Sequence, residues 1–304
     1  MKIDDILRVL IIGAGTMGQQ IGFVCAMHGY DVVLYDIDEA MLNKGLKRIQ
    51  QLGLQFVSSG RITQKDADNI MTRVTVSNDP ADAARDVDFV SECVPEDPGL
   101  KGRIFAQFDK LCPERAIFTT NTSTLVPSMF AEATGRPEKF AAFHFHDVRI
   151  SNVVDIMPHP ETSQETINLI HDFAKNIGQL PIMLHKENSG YVFNSMLSTL
   201  FMSALTLASK DVASIEDIDR AWMGVMHTPM GPFGIMDQVG LKTVWTITDY
   251  WAKALNDKNF QFNANFIEQY VKKGNLGTKT KQGFYSYPNP AYGQAGFLGN
   301  DEQN

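Results

Sequence analysis

The sequence predicts an α/β domain, a doubly wound and mostly parallel sheet carrying a helical hairpin insert, followed by an all-helical C-terminal domain. Three observations carry this. Short apolar runs rich in branched residues alternate with helical stretches from Leu7 to Leu184. A glycine-rich turn joins the first run to the first helical stretch. From Gly190 onward strand alternation stops and helical periodicity takes over.

Residues 7–12, 31–35, 74–76, 87–91, 116–120 and 140–145 read as strands. Helical connections between them imply parallel pairing with crossovers. The long insert 39–71 breaks at Ser58-Ser59-Gly60 and resumes at a Thr63 cap, which makes it two helices, a hairpin expected to stand off the sheet. Ile167, Ile170, Phe173, Ala174 and Ile177 recur at helical spacing, Gly178 closes that helix, and 181–184 reads as a last strand. Residues 185–189 read as a hinge, about which the second domain would close to dry the site. Beyond it, 191–209, 214–223 and 239–255 have helical patterns, and the tail from Pro288 is turn-rich. The expected domains are 1–187 and 188–304, with no internal repeat or low-complexity tract.

Composition narrows the function. With 304 residues, 44% hydrophobic and 20% charged, the chain is ordinary globular protein with room for two domains. A net charge of -8 argues against nonspecific nucleic-acid binding, which needs clustered Lys and Arg. No run approaches the ~18 apolar residues of a membrane span, and Asp4 and Asp5 stand where a signal peptide would be basic. A soluble, cytoplasmic protein is expected. Cys25, Cys93 and Cys112 lack the pairing or spacing of disulfides or zinc ligands, so no metal is expected.

Gly13-Ala14-Gly15-Thr16-Met17-Gly18 is a GxGxxG between an apolar strand and a helix, the context a dinucleotide needs. Gly13 permits the tight turn, Gly15 lets backbone approach a pyrophosphate, and Gly18 lets the helix pack on the strand. Backbone N–H groups at the start of the helix, Thr16 and Met17 among its first residues, then hold the phosphates. Asp36 ends the second strand 18 residues after Gly18, where an acid accepts from the adenosine ribose hydroxyls. Its charge repels a ribose phosphate, so the expected cofactor is NAD rather than NADP.

Further motifs follow in order: Ser91-Glu92-Cys93-Val94-Pro95-Glu96-Asp97 with Lys101, Asn121-Thr122-Ser123, His144-Phe145, Gly190-Tyr191-Val192-Phe193-Asn194, Met230-Gly231-Pro232-Phe233 and Gly283-Phe284-Tyr285. Together with the glycine motif they resemble the 3-hydroxyacyl-CoA dehydrogenase family, in particular its short-chain, 3-hydroxybutyryl-CoA members, over nearly the whole chain. The resemblance implies a Rossmann domain followed by a helical domain that dimerises. It implies that His144 takes the hydroxyl proton while hydride leaves the same carbon for nicotinamide, that a carboxylate steadies the imidazole, and that Ser123 and Asn194 bond the substrate oxygens. It places Glu96 and Lys101 on the nicotinamide side of NAD and counts Asn121 among the cofactor residues. As an exposed Glu and Lys after a strand, Glu96 and Lys101 also fit a solvated loop.

The chemistry makes this division sensible. A carbinol carbon releases hydride readily only as its oxygen becomes alkoxide-like, so a base with pKa near the working pH is useful, and a free imidazole titrates at about 6.5. His146 is a rival for that place. Two departures from the family pattern stand out. Where the family has Glu between valines, Val153-Val154-Asp155-Ile156 supplies Asp after a one-residue deletion, and Asp155 is the candidate carboxylate. Where the family has Phe-Asn-Pro after the histidine, this chain has the polar segment His146-Asp147-Val148-Arg149.

Lys44, Lys47, Arg48, Arg61 and Lys65 concentrate positive charge in the insert, where the family's hairpin contacts CoA. The spacing of the first three also suits a solvated helix face, and no single residue is assigned to CoA. Met196, Leu197, Leu200, Phe201, Leu205 and Leu207 read as helix core or dimer interface. The leading expectation is NAD-linked interconversion of a short L-3-hydroxyacyl-CoA and its 3-oxoacyl-CoA. A dehydrogenase of a free 3-hydroxy acid is the alternative, because 158–162 and 177–179 resemble gulonate dehydrogenases and Arg149 can bind a carboxylate. A noncatalytic NAD-binding protein like the crystallins of the superfamily is the third, against which Ser123, His144 and Asn194 count.

Overall fold

The computed structural model describes residues 1–299, so the last five residues of the tail expected from Pro288 lie outside the described residues. Contacts divide the chain into two compact units between Val192 and Phe193, a little past 187/188.

The first unit runs β1 (Arg8–Ile12), α1 (Thr16–Met27), β2 (Asp31–Tyr35), α2 (Glu39–Ser58), α3 (Gln64–Thr72), β3 (Val74–Ser77), α4 (Pro80–Ala83), β4 (Phe89–Glu92), α5 (Pro98–Asp109), β5 (Ile117–Thr120), β6 (Phe140–Phe145), β7 (Val153–Pro158), α6 (Gln164–Asn176) and β8 (Leu180–Met183). Its eight strands form one sheet in the order β3-β2-β1-β4-β5-β6-β7-β8. Every neighbouring pair is parallel except β6 and β7. Val9, Leu10, Ile11 and Ile12 are all buried, as a parallel strand covered on both faces requires. One face packs Ile21, Phe23, Ile170 and Phe173 from α1 and α6, and the other packs Phe105 and Phe108 from α5. Helices on both faces make the sheet doubly wound.

Two details differ from the sequence expectation. β7 was absent from the strands read there, and its antiparallel pairing sets His144 directly opposite Asp155. The hairpin does not stand clear of the sheet. Thr63 and Asp66 form a capping box that starts α3 as expected, but Leu42, Ile49, Leu52 and Phe56 of α2 belong to the main core. Gly45 explains the close approach: a Cβ there would lie 3.0 Å from the Leu34 side chain and 3.3 Å from that of Ala14.

The second unit contains α7 (Phe193–Ser209), α8 (Ile215–Met226), α9 (Pro232–Val239), α10 (Leu241–Leu255) and α11 (Lys258–Lys272), around a core that includes Phe201, Leu205, Phe233, Met236, Val244 and Ile267. The expected helix 239–255 starts instead at Leu241, because Gly240 takes φ +99° and separates α9 from α10. Two buried carboxylates tie the unit together. Gly231 has no side chain to cap α9, and Asp219 does so from α8, accepting from the N–H groups of Phe233 and Gly234 and from the Tyr285 hydroxyl. Asp237 accepts from the Phe284 and Tyr285 N–H groups and the Tyr287 hydroxyl. Burial pushes both carboxyls up. No helix among the described residues is long and apolar enough to cross a membrane.

Candidate active site

Because β1, β4, β5 and β6 are parallel, the loops that follow them emerge at one edge of the sheet, and the strand order reverses between β1 and β4. Such a switch point is where doubly wound sheets bind ligands.

The glycine turn follows β1 there. Gly13 has φ +106°, and a Cβ on it would meet the Cys93 carbonyl oxygen at 2.8 Å. A Cβ on Gly18 would lie 1.9 Å from the Gly13 oxygen, so the helix reaches the strand only because both are glycine. Gly15 differs: nothing lies within 4 Å of its Cβ position. Its backbone faces open space at the start of α1, and as N-cap it has no side chain to occupy the first-turn N–H groups near Thr16 and Met17. That is the surface a pyrophosphate needs. Asp36 is pinned beside the turn, accepting from Ala14 N at 2.9 Å and from Asp38 N at 3.1 Å, and remains half-buried with acceptor capacity left. The residues present fit a dinucleotide.

Across the switch point, Lys101 is not a solvated loop residue. It is 1% exposed, and its Nζ donates to Glu92 at 2.7 and 2.9 Å, with the Val94 oxygen at 3.3 Å and Glu96 at 3.4 Å. Burial pushes the Glu92 carboxyl up while Lys101, Thr120 and the Val94 amide pull against it. Burial also acts on Glu96, but the Thr122 hydroxyl, Lys101, Thr124 and Ser123 N outweigh it and hold that carboxyl low. Glu96 thereby organises the loop after β5, accepting from Ser123 N at 3.0 Å and Thr124 N at 3.2 Å. Asn121 ties that loop to β6, its Oδ1 accepting from Phe145 N at 2.8 Å.

His144 is buried on β6. Its Nδ1 lies 3.1 Å from Asp155 Oδ2, and His146 Nε2 lies 3.2 Å from the same oxygen. Burial opposes ionisation of Asp155, yet the hydrogen bonds from the two histidines prevail and keep its carboxyl below the ordinary range. An ionised carboxylate only accepts, so both facing nitrogens carry hydrogen. The shorter Asp reaches because the antiparallel register puts it directly across from His144. Tyr191 covers the His144 ring with centroids 4.7 Å apart, held by backbone at φ +54° after Gly190. His144, His146 and Asp155 are also the one trio among the described residues whose ligand atoms, all within 4.8 Å, could take a metal ion.

A cavity of about 280 Å³ lies at the start of α1, lined by Thr16, Gln20, Arg48, Gln51 and Arg149 among others. Arg149 is already engaged, paired with both oxygens of Asp147. Asn194 is the second residue of α7, in the second unit.

Three features were not singled out from the sequence: Glu92 as the partner of Lys101, Tyr191 as the cover of His144, and the sharing of Asp155 by His146. An acid ending an apolar strand was the available signal for Glu92. The i, i+2 spacing of the histidines was the signal for His146.

A sheet edge of this kind defines a dinucleotide-binding protein, and known proteins supply the enzyme family. Residues 8–188 match the NAD-binding domain of 3-hydroxyacyl-CoA dehydrogenase and residues 190–287 match its C-terminal domain. The chain belongs to the 3-hydroxyacyl-CoA dehydrogenase family of NAD-dependent oxidoreductases, and its cofactor is NAD. It is 32% identical over 286 residues to the mitochondrial hydroxyacyl-coenzyme A dehydrogenase of Homo sapiens, covering 92% of this chain and 91% of that one. The (S)-3-hydroxybutyryl-CoA dehydrogenase of Ralstonia eutropha superposes with a TM-score of 0.84 at 29% identity, over 93% of this chain and 99% of that one. A diketoreductase described as acting on dicarbonyl compounds superposes with a TM-score of 0.85 at 36% identity, with the same coverage.

Proposed function

We propose that the chain interconverts a short-chain L-3-hydroxyacyl-CoA and the corresponding 3-oxoacyl-CoA, with His144 as general base. The observation that carries this reading is the buried hydrogen bond between His144 and Asp155, at the sheet edge that also bears the glycine turn. The glycine turn and Asp36 would hold NAD, which would supply the hydride acceptor for the carbinol carbon. Nδ1 of His144 is committed to Asp155, so Nε2 is the nitrogen left to receive the hydroxyl proton. As the ring becomes cationic, Asp155 stabilises the new charge from a position it already holds. In the reverse direction the imidazolium returns the proton to the carbonyl oxygen. Ser123 and Asn194 bond the substrate oxygens in this reading, and Glu96, Lys101 and Asn121 shape the nicotinamide side.

The names of the relatives support a CoA thioester, as do the exposed Lys44 and Lys47 and the Arg48-lined cavity, which offer an acidic protein local attraction for phosphates. The reading also takes the protein as a homodimer, supported by exposed apolar side chains on the helical unit, Met196, Tyr250, Trp251 and Phe262 among them. A second reading, turnover of a free hydroxy acid or small dicarbonyl, is favoured by the likeness to the diketoreductase and by the altered segment after His144. The engagement of Arg149 by Asp147 weighs against Arg149 as its carboxylate clamp.

NADH formation from NAD with 3-hydroxybutyryl-CoA, free 3-hydroxybutyrate and gulonate separates these. The proposal expects kcat/KM for the thioester to exceed that for either free acid by about 100-fold or more. Turnover of a free acid alone would replace it with the second reading.

A further inference from the structure

His144 is the last residue but one of β6 and His146 is the first residue beyond it, and both side chains turn to the face that carries Asp155. Antiparallel β7 brings Asp155 to that face opposite His144. One oxygen, Asp155 Oδ2, therefore accepts from His144 at 3.1 Å and from His146 at 3.2 Å, and the rings meet edge to face with centroids 4.8 Å apart. The backbone on either side of His146 is anchored. Phe145 N donates to Asn121, and Val148 N donates to Gln20 Oε1 at 2.9 Å. The second imidazole is thus placed by the fold.

We propose that His146 is a positioning residue that sets the strength of the His144–Asp155 pair. The proposal rests on the reading of His144 as the base. By donating to the same oxygen, His146 takes up part of the carboxylate's charge, so His144 faces less than a full negative partner and is a weaker base than it would be with Asp155 alone. A protonated His146 acts in the same direction more strongly, so the sign does not depend on its charge state. Charged groups around the pair include Asp147, paired with Arg149, and Glu92, Glu96 and Glu187, which act on the Tyr191 that covers His144, the first two of them paired with Lys101. All of them are retained when His146 alone is replaced.

The test compares native protein with His146→Phe and His146→Gln in the NAD complex by two readouts, the acid limb of kcat/KM and the NMR titration of the His144 ring nitrogens. In His146→Phe both are expected to move up by about one pH unit. His146→Gln, whose amide N–H can occupy the place of the imidazole Nε2, is expected to return most of that shift. If His146→Phe does not fold, His146→Ala takes its place in the same comparison. An unmoved His144 titration in a folded variant overturns the proposal. So does a stoichiometric zinc ion bound to the native protein and lost from the variant, which would make the trio a metal site. A moved titration with an unmoved kinetic limb upholds the coupling and instead overturns His144 as the base.

Discussion

Asp155→Asn removes one charge and almost no volume. The amide oxygen can still accept from His144 Nδ1 and His146 Nε2, so the perturbation is electrostatic. If His144 takes the proton, as proposed, a carboxylate and an imidazolium 3.1 Å apart attract by about 5 kcal/mol at an effective dielectric of about 20. Spreading the positive charge over both ring nitrogens brings this to roughly 3–5 kcal/mol. Solvent screening subtracts little, since His144 is 5% and Asp155 1% exposed. At about 1.4 kcal/mol per decade, kcat is expected to fall roughly 10²–10⁴-fold. The assay is the initial rate of NADH formation at saturating substrate and NAD, with NAD affinity measured separately and expected to be unchanged. A loss of less than about tenfold in a folded variant would refute the reasoning, because the buried charge would then contribute little to the barrier.

Other expectations follow from the same geometry. Gly15→Ala should fold with native thermal stability, because its Cβ meets nothing, yet lose NAD affinity by roughly 100-fold; Gly18→Ala, driven into the Gly13 oxygen, should lose both. A Gly15→Ala variant with native NAD affinity would move the pyrophosphate elsewhere. Lys101→Met strands the buried Glu92 carboxylate and should destabilise the first unit by about 3–5 kcal/mol, with Glu92→Gln added to it restoring much of that loss. Amide exchange of β4 reads this, and equal protection in native and single variant would contradict it. Asp237→Asn presents an amide donor where three donors already converge and should cost the second unit about 1–3 kcal/mol. Because the folded carboxyl is raised by burial, its contribution in the native protein is fullest below the ordinary carboxylate range and falls as pH rises through the raised value. The gap between native and variant should therefore narrow with rising pH. Trp222, Trp245 and Trp251, the chain's three tryptophans, all lie in the second unit and report its unfolding by fluorescence; a gap that widens would reverse the assignment.

What could be read from sequence follows a physical line. β2 and β6 have the bounds their apolar runs implied, since a strand buried on both faces leaves a continuous hydrophobic signal. Thr63 was legible as a cap because capping is local chemistry. β7 was not: the polar stretch before it and the prolines after it conceal a strand whose partner, β6, precedes it by a short connection. The packing of α2 was hidden because it depends on what Gly45 lacks, a side chain that would meet Leu34 and Ala14. The break at Gly240 and the helix α11, rich in Asn and Gln, likewise required their neighbours. At the site, motif order put His144 and Asp155 together on the page, and the register of two strands brings them into hydrogen-bond contact. The burial of Lys101 and the second imidazole on Asp155 arise from tertiary placement, which residue type alone does not reveal.

The most direct test of the central claim is turnover by His144→Gln, with NAD affinity measured on the same sample. The account predicts that NAD binds as in the native protein while NADH formation from 3-hydroxybutyryl-CoA falls by about three orders of magnitude. Native turnover in that variant would contradict it and send the search for the base to another residue.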